Sequence, residues 1–256
     1  MKTSRGSTLP RLYPPQTNNH MLDTILDILN QGWGWMLLRG TAMTLLISVF
    51  GMALGIAIGI AGASIKVAGI QPLSFLVSCY TTLVRSIPEL LVIYLLFFGT
   101  VQTLSDLADF MGWSEAMTGW FPALVGILAI GLISGSYGVE VFRGALNAIP
   151  RGQIEAAKAI GMSGRQRLYR IVLPQMFWYA LPGTNNVWQT ALKDTALISL
   201  VGLVEIMRAA VLGAAATREP LALYLMAGAL YFAVGVGSQA LFVMAERHYG
   251  RGMKGH

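Results

Sequence analysis

The sequence predicts an all-α integral membrane protein with about five transmembrane helices and a cytoplasmic helix–turn–helix coupling loop. The chain of 256 residues is 55% hydrophobic and only 12% charged, whereas ordinary soluble domains carry about 25% charged residues. The charges are also clustered, so that residues 40–65, 116–139 and 220–245 contain no Asp, Glu, Lys or Arg. Because about 20 apolar residues span a bilayer, each of these segments can hold a transmembrane helix.

The amino-terminal region, residues 1–38, precedes the first predicted span. Residues 1–20 are polar and contain prolines, so we expect a flexible tail and no cleaved signal peptide. From residue 21 to residue 38, leucine and isoleucine recur at helical spacing opposite acidic side chains. This pattern predicts an amphipathic helix in the membrane interface, with Trp33 and Trp35 at the level of the headgroups.

A transmembrane domain is predicted over residues 39–246. Its first span covers about residues 41–63 and carries glycines four residues apart, a spacing that lets another helix approach closely. The second span, residues 73–98, should be one helix bent at Pro88, with Arg85 and Glu89 able to pair across the bend at i,i+4 spacing. The third span covers about residues 122–142.

The fourth span is predicted over residues 180–204, with a break at Lys193 and Asp194, and the fifth over residues 221–244, followed by a basic tail at 247–256. Five spans place the amino terminus outside and the carboxyl terminus inside if the basic loop before the fourth span is cytoplasmic. Lys and Arg number ten on the inner side and six on the outer side, which agrees in sign with the positive-inside rule.

That basic loop, residues 147–174, is the most informative segment of the chain. A loop so charged cannot cross a bilayer cheaply and should stay cytoplasmic. We expect one helix over residues 153–160 that is capped by Gly161, then a second helix that begins in a capping box at Ser163 and ends near Pro174. The residues alone leave two interpretations open, a docking element for another protein or an ordinary connector. The cations of this loop and of the residues just before it are Arg143, Arg151, Lys158, Arg165, Arg167 and Arg170.

Sequence motifs in this loop and beyond it resemble a known family. Glu155-Ala-Ala, Gly161 and Ile171-Val-Leu-Pro174 resemble the EAA motif of the membrane permease subunits of ABC importers. Residues 80–88, 135–144 and 192–199 are similar to the polar amino-acid branch of that family. Residues 88–92 and 180–188 look most like the histidine, lysine/arginine/ornithine and opine permeases.

The resemblance implies a complex of two permease subunits, the second one a paralogue, with two ATPase subunits and a periplasmic substrate-binding protein in the inner membrane of a bacterium. In that family the EAA helix sits in a cleft of the ATPase. The chain contains no G-x-x-x-x-G-K-[ST] segment, so we expect no cofactor on this chain and ATP with Mg²⁺ on the partner ATPase. The expected ATPase-coupling residues are Glu155, Ala156, Ala157, Gly161, Arg165 and Pro174.

Polar residues at membrane depth are candidates for the substrate path, because ionisable groups there are costly and mark transport pathways. A cationic substrate needs an acidic partner, which favours Glu89. Structural alternatives remain open: Glu140 can tie its span to Arg143 or another neighbour, and amide side chains can join helices. A break at Lys193 and Asp194 would expose backbone, which is tolerated only where it lines a cavity, so we expect residues 193–199 to form a gate. The candidates are Glu89, Glu140, Asn185, Gln189, Lys193 and Asp194.

These observations predict a permease subunit that imports basic amino acids or opines by alternating access. A permease for glutamine or another polar amino acid differs only in specificity, whereas a channel or an ion-coupled carrier would need no ATPase. A membrane enzyme is the weakest alternative, because no nucleophile–base pair or metal-ligand cluster is apparent. The net charge of +6 is better explained by cytoplasmic loops beside membrane lipid than by nucleic-acid binding.

Overall fold

The computed structural model describes residues 20–113 and 118–250, and these ranges contain helices and no strands, which confirms the all-α fold class. In chain order the helices are α1 (His20–Asn30), α2 (Trp33–Ala68), α3 (Gln71–Ser86), α4 (Glu89–Phe110), α5 (Phe121–Ala148), α6 (Arg151–Ala159), α7 (Gly164–Arg167), α8 (Leu173–Ile198), α9 (Ile206–Thr217) and α10 (Pro220–Gly250). A π-helical turn (Leu168–Val172) joins α7 to α8, and a 3-10 turn (Ser199–Val201) follows α8.

Four of these helices, α2, α4, α5 and α10, are each long and apolar enough to cross a membrane. The segment Gly164–Val201 and α9 pass the same test together, with a bend of 48° between them, and would make a fifth span. The described part of the chain therefore agrees with the predicted number of about five.

Helices α2 and α5 form the centre of the bundle and touch backbone to backbone. A Cβ atom built on Gly55 would lie 2.8 Å from the Cβ of Ser134, and one built on Gly59 would lie 2.9 Å from the carbonyl carbon of Gly138. Only glycine permits this approach, so the four-residue spacing of glycines in α2 has the packing role that the sequence predicted.

The predicted interfacial helix over residues 21–38 is wrong in its extent. Helix α1 ends at Asn30, and Gly32 adopts a left-handed conformation with φ +89° before α2 begins. Trp33 and Trp35 therefore belong to the first turn of the long helix α2. One face of α1 is exposed, but Ile28 is buried against α2, α9 and α10, so α1 also packs on the bundle.

The second predicted span is also wrong as a single bent helix. Helix α3 ends at Ser86, Ile87 and Pro88 are not helical, and α4 begins at Glu89 and extends to Phe110. The residue before a proline is disfavoured in the helical conformation, which accounts for a break here rather than a kink.

In the fourth span the predicted break at Lys193 and Asp194 is wrong, because α8 runs without interruption from Leu173 to Ile198. The chain leaves the helix at Gly202, whose φ is +96°, and resumes in α9, a helix that the sequence did not predict. The exposed backbone expected for a gate at residues 193–199 is therefore absent from that part of α8. The expectations for residues 1–19 and for residues 251–256 fall outside the described residues.

Candidate functional site

Helix α6 and the turn after it contain the EAA-like residues of the basic loop. The turn is a Schellman motif: the N–H of Gly161 donates to the carbonyl of Lys158, and the N–H of Met162 donates to that of Ala157, at 3.0 Å each. Gly161 has φ +79°, a conformation that favours glycine. The predicted cap at Gly161 is confirmed.

The capping box at Ser163 is likewise present. The hydroxyl of Ser163 accepts from the backbone N–H of Gln166 at 3.3 Å, and the Gln166 side chain accepts from the N–H of Ser163 at 2.9 Å. The predicted end of this helix near Pro174 is wrong, because the π-helical turn carries the chain directly into α8. Pro174 occupies the first turn of α8, where a proline is tolerated because its missing N–H leaves few helical bonds unmade.

The inner face of α6 packs on the bundle. Ala157 is only 3% exposed, and Ile154 packs against a core cluster formed by α5 and α8. The side chain of Gln175 in α8 donates to the Oε1 of Gln153 at 2.6 Å. These contacts join α6 to the start of α8.

The outer face of α6 is free in the structure. Glu155 and Ala156 are exposed, and Glu155 lies in the middle of α6. Ile160 is 79% exposed, and Tyr169 is exposed with Arg165 at 5.9 Å from its ring centroid. Sequence reasoning missed Ile160 and Tyr169, although both are apolar residues inside a charged loop.

Two acidic candidates meet between α4 and α8. The carboxyl group of Glu89, at the start of α4, lies close enough to that of Asp194 for the two to interact electrostatically, and Asp194 is 7% exposed in α8. The hydroxyl of Tyr137 donates to the Oε1 of Glu89 at 3.2 Å. One Asp194 oxygen has no hydrogen-bond partner among the described residues. Two adjacent acidic groups at this depth make a local environment that favours a cation.

Arg85 does not pair with Glu89 as predicted, since the break at Pro88 separates their helices. Its guanidinium carbon instead lies 5.3 Å from the centroid of the Tyr137 ring, within the range of a cation–π contact. Arg85 and Glu89 therefore contact the same tyrosine, the first at its ring and the second at its hydroxyl.

Glu140 lies in α5 between two cations. Its Oε1 is 2.8 Å from the Nζ of Lys66 in α2, and its Oε2 is 2.6 Å from a guanidinium nitrogen of Arg143. This arrangement matches the structural interpretation of Glu140, in which the carboxylate ties its span to neighbouring groups.

The remaining polar candidates lie on α8 and are not brought together at one point. The Gln189 amide donates to the carbonyl of Gly235 in α10 at 3.2 Å, which joins the two helices. Lys193 is exposed. The Oδ1 of Asn185 is buried and has no hydrogen-bond partner among the described residues.

A polar cavity of about 500 Å³ opens between α2, α3 and α5. Its lining combines charged groups and hydroxyls, and sequence reasoning identified only part of it. The spacing of the α3 residues by three and four is the signal for one helical face. The lining residues are Lys66, Ser78, Thr81, Thr82, Arg85, Ser86, Tyr137 and Glu140.

A second cluster that sequence reasoning missed surrounds Glu205, which is fully buried just before α9. Its Oε1 accepts from the backbone N–H of Arg208 at 2.8 Å and so caps α9. Its Oε2 accepts from the hydroxyls of Tyr231 at 2.6 Å and Thr44 at 3.4 Å. The available sequence signal for this cluster was the position of Glu205, an acidic residue between two apolar residues in an apolar stretch. The cluster fixes the bend between α8 and α9.

The sequence matches known proteins over most of its length. The profile of the family described as the inner membrane component of binding-protein-dependent transport systems matches residues 53–251. The chain is 45% identical over 223 residues to the octopine transport system permease protein of Rhizobium radiobacter, covering 87% of this chain and 94% of that protein. It is 42% identical over 231 residues to the nopaline transport system permease protein of Agrobacterium fabrum, covering 90% and 98%.

A third relative is the histidine/lysine/arginine/ornithine transport system permease protein of Salmonella typhimurium, 36% identical over 223 residues, which cover 87% of this chain and 97% of that protein. Among solved structures, an amino acid ABC transporter crystallised with histidines superposes with a TM-score of 0.71 at 24% identity, over 88% of this chain and 98% of that one. The latter likeness concerns the fold. The chain therefore belongs to the family of inner membrane components of binding-protein-dependent transport systems.

Proposed function

We propose that this permease subunit imports basic amino acids or opines by ATP-driven alternating access. The observation that carries the proposal is the proximity of the carboxyl groups of Glu89 and Asp194 at membrane depth. An uncompensated pair of acidic groups is costly there, and a guanidinium or ammonium group offsets that cost. The relatives named for octopine, nopaline and histidine/lysine/arginine/ornithine transport support the same substrate class.

ATP enters the mechanism through another chain. The exposed face of α6, with Glu155, Ala156 and Ile160, is the surface that receives the ATPase, and the Gln153–Gln175 contact carries its movement into α8. The complex contains two ATPase subunits that bind ATP and Mg²⁺, this permease with a paralogous second permease, and a periplasmic substrate-binding protein. Closure of the ATPase dimer shifts the spans from inward-facing to outward-facing.

The orientation follows from the same assignment. Since α6 must face the ATPase, the basic loop lies in the cytoplasm, the amino terminus lies in the periplasm and the carboxyl terminus lies in the cytoplasm. The bias of Lys and Arg toward the inner side supports this orientation.

Substrate-stimulated ATPase activity of the complex in proteoliposomes, with its binding protein, tests the specificity. We expect stimulation by arginine, histidine, octopine or nopaline. Stimulation by glutamine and by none of these compounds would overturn the substrate class, and substrate uptake without the ATPase subunits would overturn the ATP-driven mechanism.

Two variants link the activity to the acidic pair. Glu89→Gln and Asp194→Asn each remove one charge that faces the substrate cation, and a hydrogen bond to a charged group contributes about 1.5–3 kcal/mol. We therefore expect the concentration of arginine needed for half-maximal stimulation to rise about 10- to 100-fold. Asp106→Asn is the matched control, because Asp106 is an exposed acid further along α4 that contacts only its neighbour Gln102. Equal behaviour of the three variants would contradict the assignment.

A further inference from the structure

The polar cavity between α2, α3 and α5 has an excess of positive charge. Lys66 and Arg85 line it together with one carboxylate, Glu140. That carboxylate is already engaged by Lys66 at 2.8 Å and by Arg143 at 2.6 Å. Among the described residues, Arg85 has no carboxylate within ion-pairing distance and contacts only the face of Tyr137. The cavity therefore presents a guanidinium that lacks an anionic partner.

Hydroxyl groups surround this guanidinium on the same side of α3. Ser78, Thr82 and Ser86 follow one another at intervals of four residues, and Arg85 lies on the same helical face. Hydroxyl groups and an arginine fork are the donors that bind carboxylates in proteins. A volume of about 500 Å³ is within the usual range for a small-molecule site.

Tyr137 connects this cavity to the acidic pair. Its ring lies 5.3 Å from the guanidinium carbon of Arg85, and its hydroxyl donates to the Oε1 of Glu89 at 3.2 Å. One tyrosine side chain thus contacts the guanidinium of the cavity and a carboxylate of the acidic pair. This arrangement fits a ligand that carries both a cationic group and a carboxylate.

We propose that the cavity binds the carboxylate end of the transported substrate and that Arg85 is the residue that determines this specificity. The inference rests on the proposed function, in which Glu89 and Asp194 bind the cationic end. The preferred substrates then carry a guanidinium or ammonium group together with at least one free carboxylate. Opines carry a carboxyalkyl group on the amino nitrogen, and both of their carboxylates bind in the same cavity.

Equilibrium binding to the purified permease–ATPase complex in lipid nanodiscs, without the binding protein, tests this proposal. Arginine, octopine and agmatine are compared, because agmatine keeps the guanidinium of arginine and lacks the carboxylate. We expect the complex to bind arginine and octopine at least about tenfold more tightly than agmatine, the effect of one charge-assisted contact. In Arg85→Gln this preference should fall to about threefold or less while agmatine binding stays unchanged.

Two variants control for nonspecific effects. Arg39→Gln removes another exposed arginine that lies 5.3 Å from an aromatic ring, that of Trp35, and it should leave the preference unchanged. Arg85→Lys keeps the positive charge and should retain part of the preference for arginine and octopine over agmatine. The proposal is overturned if Arg85→Gln preserves the preference of the unmodified complex.

The result also separates this inference from the proposed function. Glu89→Gln should weaken arginine and agmatine alike, because both carry the guanidinium. If the complex binds glutamine in place of arginine and Arg85→Gln weakens glutamine, the basic-substrate assignment fails while carboxylate recognition by Arg85 stands.

Discussion

Gly161 offers the sharpest perturbation of the coupling surface, because its substitution changes backbone strain and nothing else. The residue has φ +79°, and a Cβ atom built on it would meet no heavy atom within 4 Å. Gly161→Ala therefore introduces no clash, and its cost is the left-handed conformation itself, about 1–2 kcal/mol for a residue with a Cβ atom.

This strain acts on the two hydrogen bonds that close α6 and hold Ile160 on the exposed side. A cost of about 1–2 kcal/mol lowers the population of the closed helix end about 5- to 30-fold when that population governs docking. We therefore expect the affinity between the solubilised permease and its ATPase subunit, measured by biolayer interferometry, to decrease about 5- to 30-fold. Membrane insertion and the thermal midpoint of the bundle should change little, since α6 contributes few buried residues.

Gly152→Ala is the matched control for Gly161→Ala. Gly152 lies in the first turn of the same helix, has no positive φ, and has no heavy atom within 4 Å of a built Cβ. Alanine favours the helix over glycine by about 1 kcal/mol, so the affinity should be unchanged or slightly higher. Equal affinities for the two variants would refute the argument that the capped end of α6 forms the ATPase-binding surface.

Two further predictions concern the bundle, with the thermal midpoint of the purified complex as the measurement. Gly55→Ala places a Cβ 2.8 Å from that of Ser134 and should destabilise the bundle by about 1–3 kcal/mol. Gly144→Ala is the control and should be neutral, because a Cβ built on Gly144 meets no heavy atom within 4 Å. An equal loss of thermal stability in the two variants would contradict the close α2–α5 contact. Glu205→Ala leaves several buried donors unsatisfied, at a cost of about 1–3 kcal/mol each. We therefore expect it to destabilise the bundle more than Tyr231→Phe does. The reverse order would refute the role assigned to Glu205.

The basic loop was predictable from the sequence because its caps depend on local interactions. A glycine after a helix-forming run and a serine three residues before a glutamine specify hydrogen bonds within a few residues of themselves. Gly161 and Ser163 accordingly have the predicted geometry. The end at Pro174 was not predictable in the same way, since a proline in the first turn of a new helix reads like one that ends an old helix.

The interior polar residues depend on tertiary contacts that the sequence does not display. Asp194 lies inside a continuous α8, close to Glu89, which is about a hundred residues earlier in the chain. The adjacent charges of Lys193 and Asp194 in an apolar run were misread as a break. The bend between α8 and α9 instead occurs at Gly202, where Glu205 receives donors from α2 and α10. The sequence displayed both residues but not the helices that surround them.

The central claim is that α6 binds an ATPase subunit, and site-specific crosslinking tests it most directly. The single cysteine of the chain is first removed by Cys79→Ser. In this background Ile160→Cys is compared with Trp120→Cys, which lies at the end of α5 that is far from the basic loop. The reagent is a short bifunctional maleimide, and the ATPase subunit carries cysteines beside its docking cleft. Both positions are exposed, at 79% and 54%. The account predicts a crosslink to the ATPase from position 160 and none from position 120. An ATPase crosslink from position 120, with none from position 160, would contradict it.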